Sequence, residues 1–344
     1  MGVPQGSVLG PLLFIIFIND FCALPILSAL ILFADDSTTL LSGKNIFDVI
    51  EKIKADMILI CEWLKHNQLI LNWEKTHAML FPTTCRNHIN PLDRPSNIFL
   101  NIDNHYIDFV AETKILGVTL DTKLNFEKHI ISIIKKVNSK SFMLSRNIRM
   151  FPSSFRTTLF KLFIIPNFEY CSTLFAHLGN ISIKTKLQSC FAKAAKRILY
   201  IELYNKTDQN QFKLLHHLNI FPLVYRYFYH YMCFVFTVMR DDRLVLNKMI
   251  KSNIPNRTLR SAFSLPPFKS KVRRLSFEVS AIKILNIFPI EFSNDKLNTF
   301  KSLVKQSILE DFEKSFFKEK PVIVNERKFK KKKITHEKSN TTIT

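Results

Sequence analysis

The sequence predicts an α+β fold for residues 1–122 and mainly helical structure after them, and two observations carry that division. Short β-prone or apolar runs, Ala29 to Phe33 and Ser37 to Leu41, flank Ala34-Asp35-Asp36, which is how a hairpin with an acidic tip reads. Beyond Asp121 the apolar residues recur at helical spacing instead. At 344 residues and 47% apolar content the chain is long enough to bury a sizeable core, and its length suggests about two domains.

Gly2-Val3-Pro4-Gln5-Gly6-Ser7 is a turn-rich hexapeptide, and the apolar run Val8 to Ile18 behind it is long enough for a helix that Ser7 caps. After the acidic hairpin, Ile46, Val49, Ile50, Ile53, Met57, Ile60 and Leu64 predict an amphipathic helix, and Asn45 with Asp48 marks its start. A second strand pair is expected from His77–Phe81 and Lys114–Leu120, around a polar excursion at Pro82–Pro95. Helical stripes follow: Phe126, Ile130, Ile134, Val137, Leu144 and Ile148; then Phe155, Leu159 and Phe163 after Pro152-Ser153. Two more candidates are Lys184–Tyr200 and the aromatic-rich Phe221–Met239, whose rings read as core rather than as platforms for bases. The expected organisation is therefore 1–122 mixed, 123–200 helical, 201–312 helical, and 313–344 a basic tail that reads as disordered, with Arg327, Lys328 and Lys330–Lys333.

A net charge of +21 and a pI near 9.7 favour a polyanionic partner, nucleic acid or an acidic membrane. The membrane option fares poorly at the apolar N-terminal stretch. That stretch lacks a positive leader, is broken at Gly10-Pro11, Asn19-Asp20 and Pro25, and ends in two adjacent carboxylates. Met1-Gly2 does not make a myristoylation signal, since Gly6 stands where Ser or Thr is wanted. The six cysteines show no zinc-ligand spacing and read as reduced and mostly buried, which points to cytoplasm or nucleus.

Adjacent aspartates at a hairpin tip suit two-metal nucleotidyl transfer. The tip holds carboxylate oxygens where two hard Mg²⁺ ions, about 3.5 to 4 Å apart, reach them. An Asp-Asp pair alone is more often a loop or cap; the apolar strand before it, the polar β-prone strand after it and the Gly/Pro/Gln loop upstream raise the odds. Asp20, placed after an apolar helix, reads as a turn residue. His66, His77 and His129 stand singly and form no metal-ligand pair.

Gly2-Val3-Pro4-Gln5-Gly6-Ser7-Val8-Leu9-Gly10-Pro11-Leu12-Leu13-Phe14, then Ile18-Asn19-Asp20, then Phe33-Ala34-Asp35-Asp36, resembles the palm of non-long-terminal-repeat (LINE-type) retrotransposon reverse transcriptases in order and spacing. Leu71-Asn72 with Lys75-Thr76, and Leu116-Gly117-Val118, look like that family's next two motifs, and Glu169-Tyr170-Cys171 and Lys196-Arg197 echo its region after the palm. The resemblance implies a partial right-hand polymerase palm followed by a helical, thumb-like region. Asp35 would be the first metal ligand and Asp36 a looser second, with Mg²⁺ as cofactor and Mn²⁺ as a substitute. Pro4, Gln5, Gly6 and Phe33 would line the nucleotide and template site, since glycine permits close backbone approach and a glutamine amide both donates and accepts. Lys75 would protonate or screen the pyrophosphate, against the blander reading of an exposed helix-end lysine. Leu116 and Gly117 would shape the primer grip.

The implied partners are an RNA template, a DNA primer and deoxynucleotides, with nucleic acid also held by the basic helices and tail. The family places a further metal-binding aspartate, and the fingers, upstream of the opening loop. The chain by itself is therefore expected to be inactive or nearly so, for want of a third carboxylate. It is also expected to self-associate through uncovered palm surface. The alternative is a non-catalytic basic protein that grips RNA or DNA.

Overall fold

The computed structural model describes Pro4 and residues 6–81, 100–175, 181–200, 218–252, 281–282 and 297–316. The chain divides after Leu124 into two compact units.

In the first unit, α1 (Gly10–Ile18) has Leu9 rather than the expected Ser7 at its N-cap position, and Ser7 Oγ, two residues further upstream, accepts a hydrogen bond from the Gly10 N–H at 3.1 Å. A 3₁₀ turn, Asn19–Ala23, comes next and carries Asp20 in its first turn. Strands β1 (Ala29–Phe33) and β2 (Asp36–Leu40) pair antiparallel, so the acidic hairpin forms as read from the sequence. Helix α2 (Ile46–His66) starts at Asn45, whose side chain accepts from the Phe47 N–H at 3.0 Å. Its inner face meets two short strands, β3 (Leu100–Ile102) and β4 (His105–Ile107), and Ile50, Leu100, Ile102 and Ile107 are the buried centre of that contact.

The second strand pair differs from expectation. Lys114–Leu120 is a hairpin rather than one strand: β5 (Glu112–Ile115) and β6 (Val118–Asp121) pair with each other across Leu116 and Gly117. Both turn residues have left-handed φ, 47° and 85°, and a backbone so disposed cannot run straight through. Of His77–Phe81 only Ala78 bridges another segment, in parallel to Phe109, through Ala78 N–H to Asp108 O at 3.0 Å and Val110 N–H to Ala78 O at 2.9 Å. The excursion at Pro82–Pro95 lies outside the described residues. The unit thus holds three separate two-stranded sheets among its described residues, packed with helices as an α+β fold.

In the second unit, α3 (Glu127–Ser145) buries Ile130, Ile133 and Val137. It packs against α7 (Ile181–Leu199), which buries Leu187, Phe191, Ala194, Ala195 and Ile198. Between them run α4 (Ser153–Leu159), a wide π turn (Phe160–Ile164), α5 (Ile165–Glu169) and the short α6 (Ser172–Phe175). The π turn has a local cause in Pro166, which lacks an N–H and whose ring crowds the preceding carbonyls of a regular helix. Helix α8 (Leu223–Arg240) packs on α5, α6, α9 (Val245–Lys251) and α10 (Leu297–Phe316). Of its aromatics Tyr231 and Phe236 are buried, Tyr225, Tyr227, Phe228 and Tyr229 are half-buried and Phe234 is exposed, so the expectation of core rings holds for part of the set; Phe236 stacks on Phe300 with ring centroids 4.1 Å apart.

The boundary expected at residue 200 falls inside this one unit, and α10 continues through Glu313 to Phe316; residues 317–344, which hold the basic tail, lie outside the described residues. Of the described cysteines, all free, only Cys190 is buried, so the expectation of mostly buried thiols is corrected. The others lie at element ends or on half-open helix faces. No described helix is long and apolar enough to cross a membrane.

Candidate active site

The hairpin explains why two carboxylates stand together. Phe33 pairs directly with Asp36, leaving Ala34 and Asp35 as a two-residue connection, and Ala34 takes a left-handed φ of 51° to close it. That conformation costs a residue with a Cβ about 1 to 2 kcal/mol, so the tight bend is held by its surroundings. Asp35, Asp36 and Phe33 are all exposed. Because directly paired residues share a face of the ladder, Asp36 lies on the same side as Phe33 and Ile31, and the face of Leu30 and Leu32 is the half-buried one.

What holds the base of the hairpin is a residue that sequence reasoning missed. Asp56, on α2, is 2% exposed, and its two carboxylate oxygens accept hydrogen bonds from the Leu27 N–H at 2.9 Å and the Ser28 N–H at 2.7 Å. These are the residues that lead into β1. A signal was present in the chain: Asp56 is three residues past Ile53 and four before Ile60, inside the apolar stripe of α2, where an unpaired carboxylate would be costly. The α1 end is tied to the same helix, since Phe17 and Phe21 lie 6.4 and 4.6 Å from the Trp63 ring.

Of the remaining candidates, Pro4 and Gly6 form a turn in which the Ser7 N–H donates to the Pro4 carbonyl at 3.2 Å. Gly6 has a φ of 86°, and a Cβ there would meet nothing within 4 Å, so glycine is required by the backbone and the space beside it is open. Gln5 lies outside the described residues. Lys75 ends a 3₁₀ turn, Trp73–Lys75, with its side chain exposed and its N–H donating to Asn72 Oδ1 at 3.2 Å. Leu116 and Gly117 turn β5 into β6. The structure thus joins Phe33, Asp35 and Asp36 at one tip, and places the opening loop, Lys75 and the 116–117 turn in three other local structures. Among the described residues no group of three or more Asp, Glu, His or Cys side chains converges as a metal site.

A second polar cluster also went unread. Glu169 accepts from Arg226 Nε at 2.6 Å and His230 Nε2 at 2.7 Å, both on α8, one helical turn apart. Burial opposes its charge, but the His230 hydrogen bond and the Arg226 guanidinium outweigh that and hold the carboxyl below its ordinary range. Their i, i+4 spacing was the available signal.

Residues 1–120 match the family model described as reverse transcriptase (RNA-dependent DNA polymerase). The match covers 120 of the 344 residues. The chain is also similar to the probable RNA-directed DNA polymerase from transposon X-element of Drosophila melanogaster, 27% identical over 223 residues, or 62% of this chain and 23% of that protein. The RNA-directed DNA polymerase from mobile element jockey of the same organism is 28% identical over 151 residues, 42% of this chain and 16% of its own length. A Pol polyprotein from the type-1 retrotransposable element R1 of Bradysia coprophila is 27% identical over 139 residues, covering 40% and 13%. These are non-long-terminal-repeat elements, the group that the opening motifs resemble. The chain spans less than a quarter of the length of these relatives. No solved structure matches it significantly.

Proposed function

We propose that the chain supplies the aspartate hairpin of an RNA-directed DNA polymerase palm, with residues 123–200 as its thumb-like neighbour. The observation that carries this reading is the exposed Asp35-Asp36 pair at the end of a β-hairpin, within the segment that matches the family. Two adjacent carboxylates fit a Mg²⁺ site, because that ion takes one or two carboxylates from a protein and fills its shell with water and phosphate oxygens. When bound, a Mg²⁺ pair supplies activation of a primer hydroxyl and stabilisation of the leaving pyrophosphate. Asp35 and Asp36 would hold the ions, and the open space beside Gly6 would admit the nucleotide or template next to Pro4, while Gln5 and Phe33 keep the nucleotide- and template-binding role that the motif resemblance implies. Lys75 would screen the leaving group, and the Leu116-Gly117 turn would support the primer.

Among the described residues no third carboxylate joins Asp35 and Asp36, so the chain as given is expected to show no primer extension on an RNA template above an Asp35→Asn background. Robust, Asp35-dependent synthesis would overturn the need for a third carboxylate. Mn²⁺ binding followed by electron paramagnetic resonance tests the ligands separately. Weak binding that disappears in Asp35→Asn/Asp36→Asn is expected, and equal binding by the double variant sinks the assignment. A second reading, a non-catalytic protein that grips RNA or DNA, is favoured by the net charge of +21 and by the cations along α7. Salt-dependent binding without polymerisation supports it.

A further inference from the structure

The hairpin that carries Asp35 and Asp36 has no core of its own. Strands β1 and β2 pair only with each other among the described residues, and their best covered side chains, Leu30, Leu32, Thr38 and Thr39, are only half-buried. A two-stranded hairpin is marginal in water without packing beneath it, and the left-handed φ of Ala34 adds strain at the bend. The order of the tip must come from outside the hairpin.

The residue before β1, Ser28, is buried at 7% exposure, and that is where Asp56 takes hold. The Leu27 and Ser28 N–H groups donate to different oxygens of the one carboxylate, so Asp56 fixes the orientation of two consecutive peptide groups as well as their position. Behind it stands a helix of 21 residues, itself packed on β3 and β4.

Chain connectivity does not do this in place of Asp56. Seven positions further along α2, Trp63 holds the buried Phe21 with ring centroids 4.6 Å apart, so one helix pins the chain on both sides of residues 22–26. The two pins lie about 10 Å apart along α2, at roughly 1.5 Å per residue. From Phe21 to Leu27 the chain reaches about 20 Å when extended, at roughly 3.3 to 3.6 Å per residue. That connection is slack, so without the carboxylate β1 is free to shift relative to α1.

We propose that Asp56 is a positioning residue for the metal-binding pair, setting how well Asp35 and Asp36 are ordered to receive a divalent ion; this rests on the metal reading above. Both of its oxygens face backbone N–H groups and it is 2% exposed, so it acts through the hairpin and not on the ion. Anchoring and ion binding are then coupled, and the coupling is reciprocal: whatever Asp56 adds to ion affinity, the ion adds to the anchor.

The test combines Mn²⁺ binding followed by electron paramagnetic resonance with amide hydrogen exchange on the full chain. Asp56→Asn keeps the size of the side chain but sets an N–H donor against a backbone donor. With both ligands intact, it is expected to weaken Mn²⁺ binding by about fivefold or more. Ile102→Ala loosens a cluster on α2 that contains no hairpin residue, and its Mn²⁺ affinity should match that of the parent. In the parent, Mg²⁺ is expected to slow exchange at Leu27 and Ser28 by about the same factor, and to have no such effect in Asp35→Asn/Asp36→Asn. This last measurement decides the matter even if Asp56→Asn fails to fold. Parent-like Mn²⁺ affinity in a folded Asp56→Asn, equal loss in Ile102→Ala, or exchange at Leu27 and Ser28 that ignores Mg²⁺ overturns the inference and leaves the ligands in place. A parent chain that binds no Mn²⁺ through Asp35 and Asp36 overturns the metal reading and the inference together.

Discussion

Asp56 and Glu169 show how a single carboxylate organises each unit. The two N–H groups that Asp56 satisfies belong to the chain entering β1, so Asp56→Ala leaves both without their acceptor, that of the buried Ser28 included. Losing hydrogen bonds to a charged group of this kind costs about 1.5 to 3 kcal/mol, and urea unfolding of the variant should show a loss in that range. Amide exchange at Leu27 and Ser28 should rise at the same time, and unchanged protection there would refute the anchoring role. Glu169 makes a pH-dependent contribution. Its folded carboxyl is depressed from an ordinary value near 4.5, so the stabilisation is fully present above that value and is lost as pH falls through the folded pKa. Thermal melts of the parent and Glu169→Gln should therefore differ most at neutral pH and converge in acid. A gap that stays constant down to acid pH would show that Glu169 acts only through its shape.

At the level of elements, legibility followed a repeated apolar stripe rather than length alone, since α10, at 20 residues, was not singled out. Helices α2, α3, α7 and α8 are 18 to 21 residues long, enough turns for a buried stripe to repeat, and each is legible from its apolar spacing to within a few residues. The strands β3 to β6 are three or four residues each, too short to establish an alternation. Their limits are set instead by turn residues with left-handed φ, namely Asp103, Asn104, Leu116 and Gly117. Asp103, Asn104 and Gly117 are residue types that favour such a conformation and Leu116 is not, and a lone glycine inside an apolar run was compatible with the one long strand expected where β5 and β6 fold back. The β1–β2 hairpin escaped this fate because each strand has five residues and the acidic pair interrupts the apolar run. The interruption of the α4–α5 rod by a π turn depends on how Pro166 is accommodated, a choice between kink and widened turn that spacing alone does not decide.

For the molecule as a whole, the aspartate doublet was readable because its residue types and order are local, whereas the Glu169 cluster needed Arg226 and His230 brought from another helix. The same distinction governs association. In α1, Leu12, Leu13, Ile15, Ile16 and Phe17 are exposed, as are Ile31 and Phe33 on β1, so apolar groups are displayed on a helix and on a strand of the same unit. Exposed apolar patches beyond a few hundred Å² are uncommon on proteins that stay monomeric, and a two-stranded sheet also presents unpaired edge groups. Self-association is therefore expected, with a scattering mass that rises with concentration. Leu12→Gln/Ile16→Gln changes two exposed positions one helical turn apart and removes no buried contact of α1, so it should lower the association while leaving the melting temperature within a few degrees. A parent chain that scatters as a monodisperse monomer at all concentrations would mean that these groups are covered within the chain itself.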